Sequence, residues 1–568
     1  MSASDGPRPI PAGSDPSAGS GATRGRRHLE SGIAFGLAGV LYLVLGAYLV
    51  FASSAIALDA WSRVGNAYYV LFSRDPHLAA IGFVWNPLPS MAMMVLLPLQ
   101  VLWPPLATVG FSANIVSALF MAGSVAVLLG LLSDIGVGRA WRWVLVALFA
   151  LHPMILLYGA NGLSEAPFLF FVLAAARALL RWERRNLGAD LVIAGLALGL
   201  AYMTRYEAIA VAGAAILGVG LLTLARGHGA RNQRLLTATA DSLLVGFPFA
   251  VSFIGWSAAS WIIVGSPFAT FSSVYGNTSQ VTLAGAGITD VIGATASSRL
   301  AYFGRELFGL APGLVPIVAL AVSAVVSRRT LRPLVPLAVF GSALVFSGLT
   351  LASGSSFGWL RFAVMAIPLA TVLAGLLIVQ PGGVLPRRAQ AALARFPAWT
   401  ERAVLLAAVV ALLAVAVPIS RDTMANPLIG REESPPLVAL GTPRLGPSLD
   451  AGRLASVTGE TAAYVDSLHL ARGSVLVDVA TGFGIVLQSS RPDQFVITPD
   501  RDFQQTLRDP GAFGVRYILV PRAAGYGNVD AILRNYPGIY DTGAGLGTLV
   551  RSFGIETDQY AWRLYEIK

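Results

Sequence analysis

Cysteine is absent from the 568 residues, which excludes disulfides, thiolate metal sites and cysteine nucleophiles. Charge is scarce as well. Asp, Glu, Lys and Arg make up 12% of the chain, half of the ~25% usual in a soluble domain. A soluble enzyme is therefore excluded; with 55% hydrophobic residues and a mean hydropathy of +0.67 the chain reads as a polytopic membrane protein. Lysine is nearly missing too: Lys568 is the only one among 40 basic residues, a bias of composition that carries no mechanism. The basic residues that are present are thus arginines, and they give a net charge of +10. Whether that charge marks a nucleic-acid partner depends on where the arginines sit.

A helix rising 1.5 Å per residue needs about 20 apolar residues to cross a hydrocarbon core of ~30 Å. Eleven stretches are predicted as spans on that basis: 31–56, 111–133, 143–159, 165–182, 189–204, 206–225, 236–265, 306–326, 333–352, 360–380 and 402–420. The apolar segment Pro89 to Trp103 is too short and ends in two prolines; it reads as an interfacial or re-entrant helix. The first span follows Arg24, Arg26 and Arg27 as a signal peptide would. Its apolar run of about 25 residues exceeds the 7–15 of a signal h-region, so it reads as an uncleaved anchor.

Positive charge is retained on the cytoplasmic side. With the N-terminus inside, the inner segments hold 20 arginines and the outer loops only six: Arg63, Arg74, Arg205, Arg299, Arg305 and Arg361. The N-terminus is therefore expected in the cytoplasm of a multi-pass protein of the plasma membrane, and the C-terminus outside. The inner side carries a net +12, the outer loops zero and residues 421–568 a net −2. The basicity is a topology signal, and no nucleic-acid partner is expected.

Three regions follow. Residues 1–29, rich in Gly, Pro and Ser, read as a disordered cytoplasmic tail. Residues 30–420 read as an all-α membrane domain with a long first outer loop at 57–88. Residues 421–568 are charged enough to be soluble, with strand-like runs at 474–477, 495–497, 517–520 and 562–565 alternating with helix-like segments at 461–470 and 530–536. That pattern predicts a small extracytoplasmic α/β domain.

Ionisable residues are costly in a membrane protein and so are informative. Here they gather at the outer ends of helices. The first outer loop carries Asp59, Arg63, Ala67, Asp75-Pro76-His77 and Asn86-Pro87-Leu88-Pro89. Glu165 heads a later span, Arg205-Tyr206-Glu207 joins two spans, and Arg361 precedes a span containing Pro368.

In that order, and on one side of the membrane, these motifs resemble the GT-C glycosyltransferases, and within them the branch of aminoarabinose transferases and protein O-mannosyltransferases. The likeness covers roughly residues 30–380. It implies a polyprenyl-phosphate sugar donor and transfer of a hexose or pentose to an envelope glycan, lipid or protein. Two departures leave donor and acceptor open. Many relatives have Lys-Pro-Pro where this chain has Asn86-Pro87-Leu88-Pro89, and the O-mannosyltransferases have Asp-Glu where it has Asp59-Ala60.

The residues support the same chemistry. Such a transfer needs a base for the acceptor and cations for the departing phosphate. A positioned carboxylate contributes about 10²–10⁴-fold as a base, and arginine offers phosphate a bidentate, permanently charged fork. Asp59 is the expected base, with Glu165 as a second catalytic acid. Arg361, Arg205 and Arg63 are the expected phosphate ligands, and Asp75, His77 and Glu207 are further candidates. Inverting single displacement is the expected course.

Each candidate also has a plainer reading. Asp59 and Arg63 are an i,i+4 pair, Glu165 suits a helix's first turn, Arg361 could snorkel, and Arg205 could simply pair with Glu207. The tryptophans at 61, 85 and 359 read as an interfacial aromatic belt. A divalent cation could bridge phosphate and carboxylates, but no metal-ligand spacing is present and no cofactor is expected. The competing classes are a secondary transporter, whose ionisable groups would lie at the midplane, and a non-catalytic envelope-assembly scaffold. If the enzyme reading holds, Asp59, Glu165 and Arg361 converge on one outward cavity open to lipid.

Overall fold

The computed structural model describes residues 16–328, 330–379, 396–397 and 399–568. All eleven predicted spans fall on helices, but fewer of them can cross a bilayer. Among the described residues seven helices are long and apolar enough: Gly25–Ala52, Phe111–Ile135, Ala208–Arg226, Arg231–Val264, Leu334–Ala352, Leu360–Val379 and Ala403–Ala425. Two bent pairs raise the number to nine if each counts as one span. Arg139–Ala150 and Pro153–Ala160 meet at 64°, and Ala296–Leu310 and Leu314–Ser327 at 87°. The first bend falls where Pro153 cannot continue the preceding helix; His152 caps the new one by accepting from the Met154 amide.

Two more of the expected spans do not meet that test of length and apolarity among the described residues. Gly188–Tyr202 has 15 residues, about 22 Å of rise, and Glu165–Arg185 carries Glu165, Arg177, Arg181, Glu183, Arg184 and Arg185. The latter helix is largely buried among its neighbours. The first helix begins at Pro16, so residues 16–29 are helical rather than disordered, extending the apolar helix through good helix formers such as Ala22, Arg26 and Leu29. Residues 1–15 of the expected tail lie outside the described residues.

The first long loop is itself mostly helical, with Leu58–Phe72 followed by short turns at Leu78–Ile81, Leu88–Met94 and Leu97–Val101. Trp61 fixes this helix. It is fully buried, donates from Nε1 to the Ala107 carbonyl at 3.3 Å, and meets Phe483 of the C-terminal domain edge-on at 5.3 Å. Gly110, at φ +70°, and Gly484 approach the indole so closely that a Cβ on either would lie 2.9 Å from a ring atom. The predicted belt is corrected here: Trp61 is a core wedge, and Trp85 and Trp359 lie in the cleft described below.

The C-terminal domain holds one five-stranded sheet in the order β2-β1-β3-β5-β4, with β1 Val475–Val477, β2 Phe495–Ile497, β3 Tyr517–Pro521, β4 Gly547–Phe553 and β5 Trp562–Ile567. β1 pairs in parallel with β2 and β3, while β5 runs antiparallel to β3 and β4. β1 to β3 are continuous buried apolar runs, as expected of parallel strands covered on both faces. The edge strand β4 is mostly exposed and lacks that signature, so sequence patterning passes over it.

Candidate active site

The helix Leu58–Phe72 places Asp59 in its first turn and Arg63 one turn later. Glu165 opens the helix Glu165–Arg185, Arg205 and Glu207 occupy the turn before Ala208–Arg226, and Arg361 lies in the turn Leu360–Ala363. These separate elements bring their charged groups together. Arg361 Nη2 donates to Asp59 Oδ2 at 3.0 Å, and its Nε lies 3.7 Å from Glu165 Oε1. Arg205 pairs with both Glu165 and Glu207.

A partly open cleft lies over this cluster, and Asp59, Arg63, Arg205, Glu207 and Arg361 contribute to its lining. Glu165 is 1% exposed and is not part of the lining. It sits behind the arginines and orients them, which is a positioning place rather than a contact with substrate. Arg63 stacks over the Trp85 ring at 4.3 Å and Arg361 over Trp359 at 4.2 Å, with Trp359 stacked in turn on Phe357 at 4.4 Å.

Arg63 does not hydrogen-bond Asp59, so the plain i,i+4 reading does not describe it. Its Nη2 makes a long bond of 3.4 Å to Ser164 Oγ, while Nε and Nη1 are buried without a partner. Burial pushes this guanidinium down to about 10, with Arg205 and Arg361 adding to the effect and Asp59 and Glu165 opposing it. An arginine with orphaned buried donors on a cleft wall is arranged to receive acceptor oxygens.

Two acids that sequence reading passed over complete the cluster. Glu432 Oε2 lies 3.0 Å from Arg361 Nε, and Glu433, fully buried, accepts from the Tyr158 hydroxyl at 2.6 Å. Both carboxyls are pushed up by burial; Arg361 pulls Glu432 back, and the Tyr158 hydrogen bond and Arg361 pull Glu433 back. The signal in the sequence was the run Arg431-Glu432-Glu433, three charges in a row just beyond an apolar helix.

Asp75 and His77 lie elsewhere. Asp75 accepts from the Arg501 main chain at 3.1 Å and pairs with its guanidinium at 3.2 Å; His77 Nδ1 is 2.7 Å from the Asp75 carbonyl. Beside them Arg74 bonds Asp500 at 3.0 Å and also Asp502. Burial raises the Asp500 carboxyl to about 6 against the pull of its Ile497 amide bond and of Arg74. This group docks the C-terminal domain on the first loop and does not line the cleft.

A second, apolar and wide-open groove lies between Ala208–Arg226 and Leu334–Ala352, lined by Ala210, Ala214, Ala338, Gly341, Val345 and Phe346 among others. Tyr206 connects the two spaces: it lines the cleft, and its ring lies 6.1 Å from that of Phe346. Among the described residues no group of three or more His, Asp or Glu side chains is placed to hold a metal ion.

No family model matches the chain, and no curated protein matches it. Among solved structures it is similar to the protein O-mannosyltransferase Pmt1-Pmt2 complex of S. cerevisiae bound to the sugar donor, at 18% identity and a TM-score of 0.31 over 43% of this chain. That match spans only 36% of the O-mannosyltransferase chain. It is similar to ArnT from Cupriavidus metallidurans in the apo state at 14% identity and a TM-score of 0.48, covering 92% of this chain and 96% of that one. For ArnT bound to undecaprenyl phosphate the values are 14%, 0.47, 94% and 97%. The chain itself is a multi-pass helical membrane protein with a small α/β domain at its C-terminus. What it does must be read from its cleft.

Proposed function

We propose that the protein is an integral membrane glycosyltransferase that moves a sugar from a polyprenyl-phosphate donor to an extracytoplasmic acceptor. The observation that carries this reading is the meeting of one partly exposed carboxylate, Asp59, with three arginines in a cleft next to an apolar groove. The acceptor hydroxyl loses its proton to Asp59 while its oxygen forms the new bond to the anomeric carbon. The bond from that carbon to the phosphate oxygen breaks on the opposite face, which inverts the centre and releases polyprenyl phosphate with one additional negative charge. Arg361, Arg205 and Arg63 are placed to stabilise that charge as it develops. Glu165 and Glu207 hold Arg205 in position, and the arginine distribution supports an outward-facing cleft and C-terminal domain.

The groove fits the isoprenoid tail because it is apolar and reaches the cleft beside Tyr206. A Cβ on Gly341 would meet no atom within 4 Å, so a larger side chain there projects into the groove without disturbing the helix. Gly341→Leu is expected to raise the donor KM about tenfold, equivalent to ~1.4 kcal/mol of binding, with acceptor KM and thermal stability unchanged. An unaltered donor KM would place the tail elsewhere.

No metal is expected to be required, because guanidinium groups already supply the cationic charge at the cleft. Transfer should survive EDTA at the rate seen without it. Loss on chelation and recovery with added magnesium or manganese would reassign Asp59 and Glu432 as metal ligands. The whole reading is tested by presenting the purified protein with a panel of polyprenyl-phosphate sugars and envelope acceptors; no transfer from any donor refutes it. A transporter is disfavoured, since the charged cluster is assembled from helix ends and turns rather than from mid-helix positions.

A further inference from the structure

Besides its charged groups, the cleft has an uncharged part to its lining. It is built from the turn after Phe268 and the start of the helix Asn277–Ile292, and it contributes Thr270, Asn277 and Gln280 to the lining. None of the three is charged. Their donors are committed to main-chain oxygens: Thr270 to Phe83 at 3.1 Å, Asn277 to Ser355 at 3.0 Å and Gln280 to Tyr275 at 2.7 Å. The side-chain carbonyls of Asn277 and Gln280 are thereby oriented and make no hydrogen bond of their own among the described residues. Such oxygens accept from hydroxyl groups. Trp85 and Trp359 line the same space, with Arg63 and Arg361 stacked on their rings.

This wall is tied to the C-terminal domain through one side chain. Tyr275 donates from its hydroxyl to Asp478 Oδ2 at 2.8 Å, and Arg534 covers the Tyr275 ring at 5.5 Å while bonding its hydroxyl at 3.3 Å. Asp478 is fully buried just after β1. It also caps the helix Val479–Gln488 through the Ala480 amide at 2.8 Å and accepts from the Ala531 amide at 2.7 Å. That capped helix carries Phe483 and Gly484, which grip Trp61 two residues from Asp59. One carboxylate of the C-terminal domain therefore fixes both parts of the lining, the uncharged wall through Tyr275 and the Asp59 helix through Trp61.

We infer that the Thr270, Asn277 and Gln280 wall is the acceptor subsite, that it takes a neutral, hydroxyl-rich acceptor of the glycan class, and that Tyr275 is its positioning residue. This rests on the transferase reading above and narrows it. A charged lipid headgroup would find no counter-charge on this wall. A glycan finds carbonyl oxygens for its hydroxyls.

Tyr275→Phe in the full-length protein, reconstituted with donor and a neutral oligosaccharide, is the test. The acceptor KM is expected to rise about five- to tenfold, the effect of one hydrogen bond, with kcat and donor KM holding within about twofold. Gln280→Ala should raise the acceptor KM in the same way. Hydrogen exchange should quicken across 269–292 in Tyr275→Phe and stay unchanged across 58–72. Equal acceptor KM in wild type and Tyr275→Phe, a fall in kcat alone, or preference for a charged lipid or peptide over neutral glycans would overturn the inference. If the wild-type protein transfers to nothing, the transferase reading fails instead, and the exchange measurement still decides whether Tyr275 holds the wall.

Discussion

Asp59→Asn is expected to reduce transfer by about 10²–10⁴-fold, the contribution of a positioned general base, while leaving the protein folded and able to bind its donor. The amide has the same shape as the carboxylate and keeps an oxygen for the 3.0 Å bond from Arg361. It cannot accept the proton of an incoming hydroxyl. Donor affinity should hold or tighten, since one negative charge has left a site built for an anion. The measurement pairs initial rates with a direct titration of the donor. A wild-type rate would move the base to Glu432 or Glu207, and Glu432→Gln and Glu207→Gln would then be compared in the same assay.

Arg361→Gln should be more damaging, because it strikes both stability and chemistry. The guanidinium lies 3.0 Å from Asp59, 3.0 Å from Glu432 and 3.7 Å from Glu165, and its side chain is 6% exposed. Breaking a buried charge network by removing one partner costs about 3–5 kcal/mol, so the thermal midpoint of the solubilised protein should fall along with transfer. Arg361→Lys separates the two effects. Lysine restores the charge and part of the stability. It cannot present two donor edges at once while lying flat on Trp359, so transfer should remain low. Full activity in Arg361→Lys would show that a point charge suffices and that the fork is not used.

Much of the site was legible because charge is so rare in this chain. In a sequence with 12% charged residues, an acid beside a span boundary stands out, and Asp59, Glu165, Arg205 and Arg361 were singled out by that contrast together with the order of the motifs around them. The fold class was legible from hydropathy, and four of the five strands from their apolar runs. Three features were not. The number of crossings is the first: among the described residues seven helices, or nine with each bent pair as one span, meet the test of length and apolarity, against the eleven expected. Glu432 and Glu433 read as the soluble start of a domain, since 71 residues of sequence separate Glu432 from Arg361 and only folding brings them together. Tyr275 gave no signal at all, and the tryptophans were misread as an interfacial belt: an aromatic ring in a loop looks the same whether it faces lipid, core or cleft.

Asp75 and His77 show the opposite failure. They stand out in the sequence for the same reason as Asp59, and the structure spends them on docking the C-terminal domain. Rarity marks a charge as having a purpose. It does not say which.

The indole of Trp61 joins two segments that lie more than 400 residues apart in the chain. Because Gly110 of the membrane domain and Gly484 of the C-terminal domain both close on that ring, the packing around the helix bearing Asp59 is complete only with the C-terminal domain in place.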